Sequence, residues 1–448
     1  MSRDLDNLLN RAAADVEPAP KAPKATKPEP DKATARPAEP LPPADRFITG
    51  LYIALCAISV VELYGASSRE VSSTNVFAPL IRHCIMLVMG ATICFGVSRV
   101  KMSTVIKYTP LFVIGSVLMM LYVLLFGRSI NGALRSIVVA GQQIQPSEFL
   151  KISSVLIIAY IMARNQVKGG GVRTRGVVAS AAIVIVFGGL LFSQGLTNTL
   201  LLMAISLSMM VIGGIEWKKF GLVLVFYGLI GACGVIYKMN EGKGGDMAEG
   251  QTINRATEVW SARMERYFAD STPKYQQPIT ANNRQEMYSY MAQANGGILG
   301  VMPGNSRETA RLPLAFSDYI YSIVVEDLGF VGGMVLLAIY LSILIRAGGI
   351  ASRCDRAFPA MLEMGMAVMI MWQALFHMAI TTGVFPVSGQ PLPMISKGGT
   401  SMLITSLAFG IMLGVSRYAR SKRVTKKQIA DANADLPDSL DAVNPTRL

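Results

Sequence analysis

Histidine is nearly missing from this 448-residue chain; His83 and His377 are the only two. Cysteine is also sparse, at positions 56, 84, 94, 233 and 354, with no metal-ligand spacing. Together these scarcities argue against a His/Cys metal centre and against a disulfide framework. Each histidine then reads as membrane-buried packing with one local hydrogen bond. Acidic residues are few too, 29 against 42 Lys and Arg, a formal charge of +13. A basic excess suits nucleic acid where aromatic side chains interleave with it, and no such patch occurs, so no nucleic-acid partner is expected. Only 16% of the residues are charged while 52% are hydrophobic, the balance of a polytopic membrane protein.

Apolar runs near the ~20 residues that cross a bilayer lie at 47–66, 77–98, 108–126, 147–164, 175–193, 196–216, 219–237, 317–345, 357–383 and 399–416. The fold class expected is therefore all-α, about ten transmembrane helices with one large extracytoplasmic loop. The first run is not a signal peptide, because a long polar tail precedes it and no small-residue cleavage site follows. Basic residues cluster in alternate connections: Arg99, Lys101 and Lys107; Arg164, Lys168, Arg173 and Arg175; Lys218 and Lys219; Arg346, Arg353 and Arg356; then Arg417 to Arg423. All fall on one side if both termini are cytoplasmic, so the charge is largely topology in the cell (inner) membrane.

Residues 1–46 form a cytoplasmic tail, dominated by Pro, Ala and Lys over 17–43, that cannot bury enough apolar surface to fold. At its start a frayed terminus is expected; were residues 1–13 helical, Leu5, Leu8 and Leu9 would share one face. The membrane domain spans 47–420, and 421–448 reads as a second disordered tail. Residues 238–316 interrupt the membrane pattern on the outer side, far longer than a connection requires. Within them, Glu258–Phe268 carries aromatics at helical spacing, an interfacial helix. Tyr288–Ala294 before Gly296-Gly297 reads as a helix ended by glycine.

Three segments carry polar residues where lipid would forbid them. Val384–Met402 lies between apolar runs yet holds three prolines, three glycines and four hydroxyls. An unsatisfied backbone group in hydrocarbon costs several kcal/mol, roughly, so this stretch is buried in protein or lines a wet cavity. Asn131–Ile137 and Gly141–Lys151 form the second segment. Gln145-Pro146-Ser147-Glu148 is a helix start, with proline in the first turn and an acid near the positive end of the dipole. Capping explains Ser147 and Glu148 but not Lys151, which is one turn deeper and an ion-pair partner for Glu148. The third segment runs from Gly300 to Gly329. Asp318 stands at a helix start, Glu326 and Asp327 lie deeper, and Arg307 and Arg311 join Arg135, Arg263 and Arg266 as outer cations that suit an anionic phosphate.

These segments resemble the signature regions of the FtsW/RodA (SEDS) family of peptidoglycan synthases. Asn131–Arg135 with Ile144–Lys151, Gly304–Ser306 with Asp318–Tyr321 and Glu326–Gly329, and Gly383–Ser401 match its three ordered motifs. The Gly-Asn-Ser element is more similar to the division-type FtsW branch. The resemblance covers roughly 47–420 and implies inverting polymerisation of lipid II, the undecaprenyl-pyrophosphate-linked precursor. It implies Asp270 as general base, with Glu265 and Glu286 as alternatives. Lys151, Arg135, Arg263 and Arg266 would hold the diphosphate; Gln145, Glu148, Asp318, Glu326 and Ser396 would shape the cavity. A class B penicillin-binding protein is the partner it implies, with other division proteins beside it. Mg or Mn at the diphosphate is a cofactor it leaves open, with no metal ligand set visible. Departures from the pattern are the missing D-P-x-G-x-G-Y-Q element after Asp270, Leu314 in place of glutamate and Lys397 in place of tyrosine. A lipid II translocator and a non-catalytic scaffold are the competing readings.

Overall fold

The computed structural model describes residues 42–67, 78–126, 128–130, 133–139, 142–167, 170–192, 194–241, 276–280, 283–312 and 316–434. Its helices are α1 (Arg46–Ser67), α2 (Ala78–Val97), α3 (Met102–Phe126), α4 (Pro146–Arg164), α5 (Thr174–Phe192), α6 (Leu196–Ile212), α7 (Trp217–Glu241), α8 (Arg284–Gly296), α9 (Ile320–Ala351), α10 (Ala357–Thr381) and α11 (Gly399–Ala434). Among the described residues, eight of these are long and apolar enough to cross a membrane: α1 to α5 and α9 to α11. Apolar α6 has only 17 residues. The chain is a multi-pass helical membrane protein.

Helix α4 is central. It packs against α3, α5, α6, α10 and α11, and 72% of its span is buried in protein. Helices α10 and α11 are equally enclosed, at 78% of their apolar windows, whereas α2 and α3 bury 22% and turn the rest outward. Ile152, Val155, Ile158, Ala159 and Met162 of α4 reach the core formed with Met366, Met369 and Ile370 of α10.

Two departures from the sequence reading have local causes. Three short strands pair as an antiparallel meander, β1 (Arg128–Ile130), β2 (Ala133–Val139) and β3 (Gln142–Ile144), with Ile137 opposite Ile144. The β-branched run Ile137-Val-Val139 favours a pleated strand, and pairing satisfies a backbone that the preceding helix has released. The tail expected from 421 instead continues as helix to Ala434, because no glycine or proline interrupts 415–434.

Helix α9 is broken at Gly329, where φ is 72° and ψ −176°. The freed backbone groups find partners in the turn after α8. Val301 and Met302 donate to the carbonyls of Glu326 and Asp327, and Phe330 and Val331 donate to those of Gly297 and Ile298. A Cβ on Gly329 would collide with the Ile298 carbonyl, and one on Gly300 with the Asp327 carbonyl. Glycine is required at both places because the backbones themselves are in contact. Helix α8 does end at glycine, with Gly297 at φ 53°.

Candidate functional site

Alternation of the spans puts the start of α4, all of α8, the start of α9, the end of α10 and the start of α11 at one end of the bundle. The polar segments read from the sequence meet there. Thr400 at the head of α11 donates to the Gln143 carbonyl (2.8 Å) and accepts from the Gln145 N–H (3.3 Å), tying the meander to the third motif. Ser396 Oγ donates to the Ser317 carbonyl (2.8 Å) and accepts from the Leu392 N–H (2.7 Å), and the Lys397 N–H donates to the Phe316 carbonyl.

The middle of the proline-rich segment, 392–396, is buried in protein, while Val384 and Phe385 at its start are exposed. Leu392, Met394, Ile395 and Ser396 are enclosed, and side chains from other helices satisfy its carbonyls. Tyr340 donates to the Pro393 carbonyl (2.6 Å) and Ser59 to that of Ile395 (3.2 Å). His377 accepts the Tyr321 N–H at Nε2 (3.4 Å), so its Nδ1 carries the proton and donates to the Gln390 carbonyl (2.6 Å). Gln390 donates in turn to Asn198 of α6 (3.0 Å). His83 bonds Ser59 at 2.7 Å. Both histidines are thus buried with local partners. Tyr340, Asn198 and Ser59 escaped the sequence reading; Tyr340 and Ser59 are polar residues set in apolar runs, the one signal available, and Asn198 stands between two threonines at the start of α6.

Lys151 is fully buried and its Nζ reaches Glu148 at 2.7 Å, an enclosed ion pair one turn inside α4. The second oxygen of Glu148 and the hydroxyl of Ser147 have no hydrogen-bond partner among the described residues. Neither side chain caps the helix: Gln145 is the N-cap residue, without a side-chain bond. A side-chain cap therefore does not account for Ser147, while Pro146 and Glu148 stand in the first turn as the expected helix start requires. A buried pair with unspent acceptor capacity is built to receive a donor or to hold the lysine ready for an anion.

Glu326 accepts the N–H groups of Arg307 (2.9 Å) and Glu308 (3.3 Å), so it anchors the Gly-Asn-Ser loop from inside. Asp318 accepts the Ser317 hydroxyl at 2.9 Å and faces Gly389, where a Cβ would come to 3.0 Å of its carboxylate. It is not the cap of α9, which begins after Tyr319 without a side-chain bond. Ser289 of α8 bonds Ser322 (2.6 Å) and the Thr381 carbonyl (3.0 Å), pinning the outer helix to α9 and α10. Arg311 pairs with Glu308 at 3.3 Å. Arg135 lies on strand β2. Asp270, Arg263, Arg266 and Glu265 lie outside the described residues, as do the Glu258–Phe268 helix and the N-terminal tail to residue 41. Glu62, fully buried on α1, was not singled out from the sequence; its carboxylate has no hydrogen-bond partner among the described residues.

Residues 45–421 match the FtsW/RodA/SpoVE family model, described as "Cell cycle protein". The chain belongs to this family. It is 29% identical over 384 residues to a protein of Burkholderia thailandensis named "Probable peptidoglycan glycosyltransferase FtsW", covering 83% of this chain and 78% of that one. An Escherichia coli O6:H1 protein of the same name is 27% identical over 390 residues, covering 85% and 87%. The fold matches a chain of a solved peptidoglycan synthase complex, with a TM-score of 0.63, 22% identity and 84% and 98% coverage. It also matches the Rod shape determining protein RodA of Thermus thermophilus, with a TM-score of 0.57, 21% identity and 84% and 97% coverage.

Proposed function

We propose that this protein is a peptidoglycan glycosyltransferase that polymerises lipid II, in the septal wall synthesis of cell division. The observation that carries the reading is the meeting of three family motifs at one end of the bundle, around the enclosed Lys151–Glu148 pair. In the reaction, the acceptor GlcNAc 4-hydroxyl attacks the anomeric carbon of the donor MurNAc. Its proton passes to the Asp270 carboxylate, the bond from that carbon to the diphosphate oxygen breaks, and undecaprenyl pyrophosphate leaves with inversion. Lys151, Arg135, Arg263 and Arg266 stabilise the departing diphosphate, since preorganised cations are worth most where water is excluded. Gln145, Glu148, Asp318, Glu326 and Ser396 position the segments around it.

A class B penicillin-binding protein would cross-link the strands, in keeping with the polymerization and crosslinking named for the similar synthase complex. Mg2+ or Mn2+ would assist at the substrate diphosphate, where a divalent cation offsets the charge that develops as the leaving group departs. The basic connections support a topology with both termini in the cytoplasm.

The test is lipid II polymerisation by the purified protein with its transpeptidase partner bound and cross-linking blocked, wild type beside Asp270→Asn. The expected result is glycan polymer from wild type and none from the folded variant. Polymer from both would move the base to Glu265 or Glu286; polymer from neither would favour the translocator or the scaffold.

A further inference from the structure

At the opposite end of the bundle, where α3 starts, α4 ends and α10 starts, a cavity of about 420 Å³ opens beside two arginines. That volume falls within the ~300–1,000 Å³ of small-ligand sites. Arg164 and Arg356 line it, with Tyr160, Phe358 and Ile106. Tyr160 holds the geometry. Its hydroxyl accepts from Arg164 at 2.7 Å, the guanidinium lies 5.3 Å from its ring centre, and the ring meets Phe358 edge-on at 6.5 Å. The hydroxyl proton of Tyr160 remains free to donate to an anion.

Among the described residues neither arginine has a carboxylate at ion-pair distance; the pairs formed are those of Lys151, Lys219, Arg311 and Arg346. Asp355 precedes Arg356 in sequence, and Lys107 follows the lining Ile106. Arg356 is the N-cap residue of the 25-residue helix α10, in extended conformation (φ −115°, ψ 143°) and without a side-chain cap. The N–H of Phe358 therefore lacks the acceptor that a capping side chain would supply, beside two guanidinium forks, and Pro359 next to it has no N–H.

The apolar part of the lining decides between a lipid and a soluble anion. Ile106 lies on α3, and Ile114, Leu118 and Leu121 continue from it along that helix at intervals of three to eight residues, exposed to the bilayer. A cationic recess opening onto an exposed apolar track has the shape of a headgroup site with an acyl chain above it.

We infer that this recess binds the phosphate diester of an anionic membrane phospholipid, with Arg164 and Arg356 as its forks and α3 as the track for an acyl chain. The site needs only the chain's place in the membrane and stands whether or not the glycosyl-transfer reading does. Its basic surroundings place it on the leaflet where anionic headgroups concentrate.

Native mass spectrometry of the full chain in detergent tests it, with added phosphatidylglycerol, phosphatidylcholine or inorganic phosphate. Phosphatidylglycerol adducts should survive activation that strips phosphatidylcholine. The double variant Arg164→Gln/Arg356→Gln should lower phosphatidylglycerol occupancy about ten-fold, because two charge-assisted contacts are lost. Ile106→Trp, which fills the cavity and leaves the charges alone, should lower it too and guards against misfolding of the double variant. Equal occupancy in both variants and wild type, or no preference over phosphatidylcholine, would overturn the inference. Displacement of phosphatidylglycerol by millimolar phosphate would assign the recess to a soluble anion instead.

Discussion

Helices α3 and α4 are neighbours of opposite character. The span of α3 is among the most apolar in the molecule and is 22% buried; that of α4 has among the lowest mean hydropathy and is 72% buried. In a water-soluble protein the order would be reversed. Here lipid is the solvent, so polar side chains retreat into protein and the most apolar helix takes the lipid side. Helix α10 repeats the pattern of α4, enclosed and comparatively polar, with Glu363, Gln373 and His377 all buried. The low hydropathy of a span thus marks where polar function is housed.

Perturbing enclosed positions should cost more than perturbing outward ones, and the buried charge should cost the most. Lys151→Met leaves Glu148 buried and uncompensated, and breaking such a pair from one side costs roughly 3–5 kcal/mol; a large fall in melting temperature in detergent is expected. Ile158→Ala in the closed core of α4 should cost roughly 2–5 kcal/mol, while Ile114→Ala on the outward face of α3 should stay within about 0.5 kcal/mol. Equal losses in the two would erase the distinction. Gly300→Ala puts a side chain at φ 81° against the Asp327 carbonyl and should cost roughly 1–3 kcal/mol, with faster amide exchange at Val301 and Met302 as its signature.

The mildest effect is one of pH, at the other end of the bundle. Asp45 is buried, which alone would raise its carboxyl; the bond from Arg346 and the N–H groups of Ile48 and Phe47 outweigh this and hold it below the usual carboxylate range. A depressed carboxyl contributes stability that is whole above its unfolded value, about 4, and is lost as pH falls through the folded one. Melting temperature should drop on acidification below about pH 4, and less steeply in Asp45→Asn. Equal slopes would remove Asp45 from the account.

Much of this was legible in the sequence, for a physical reason. Ser396, Lys151 and Glu326 stand out because hydrocarbon tolerates so few polar groups that each one present is a signal. The break at Gly329 was not legible. The stretch 317–345 reads as one apolar run, and the distortion depends on pairing with 297–302, some thirty residues upstream. The meander of 128–144 was hidden similarly, since its glycines and polar residues look like any loop until strands pair. The start of α4 was legible too: Pro146 and Glu148 stand in its first turn, Glu148 pairs with Lys151 three residues on in the same helix, and only a side-chain cap is missing.

The central claim is that the polar interior of α4 serves chemistry rather than stability. Replacing a buried ion pair by apolar groups of similar size is often neutral or stabilising. The double variant Glu148→Leu/Lys151→Met therefore tests it most directly, by melting temperature and lipid II polymerisation side by side. The account predicts a melting temperature equal to wild type or higher, with polymer lost. Undiminished polymer from the folded double variant would contradict it.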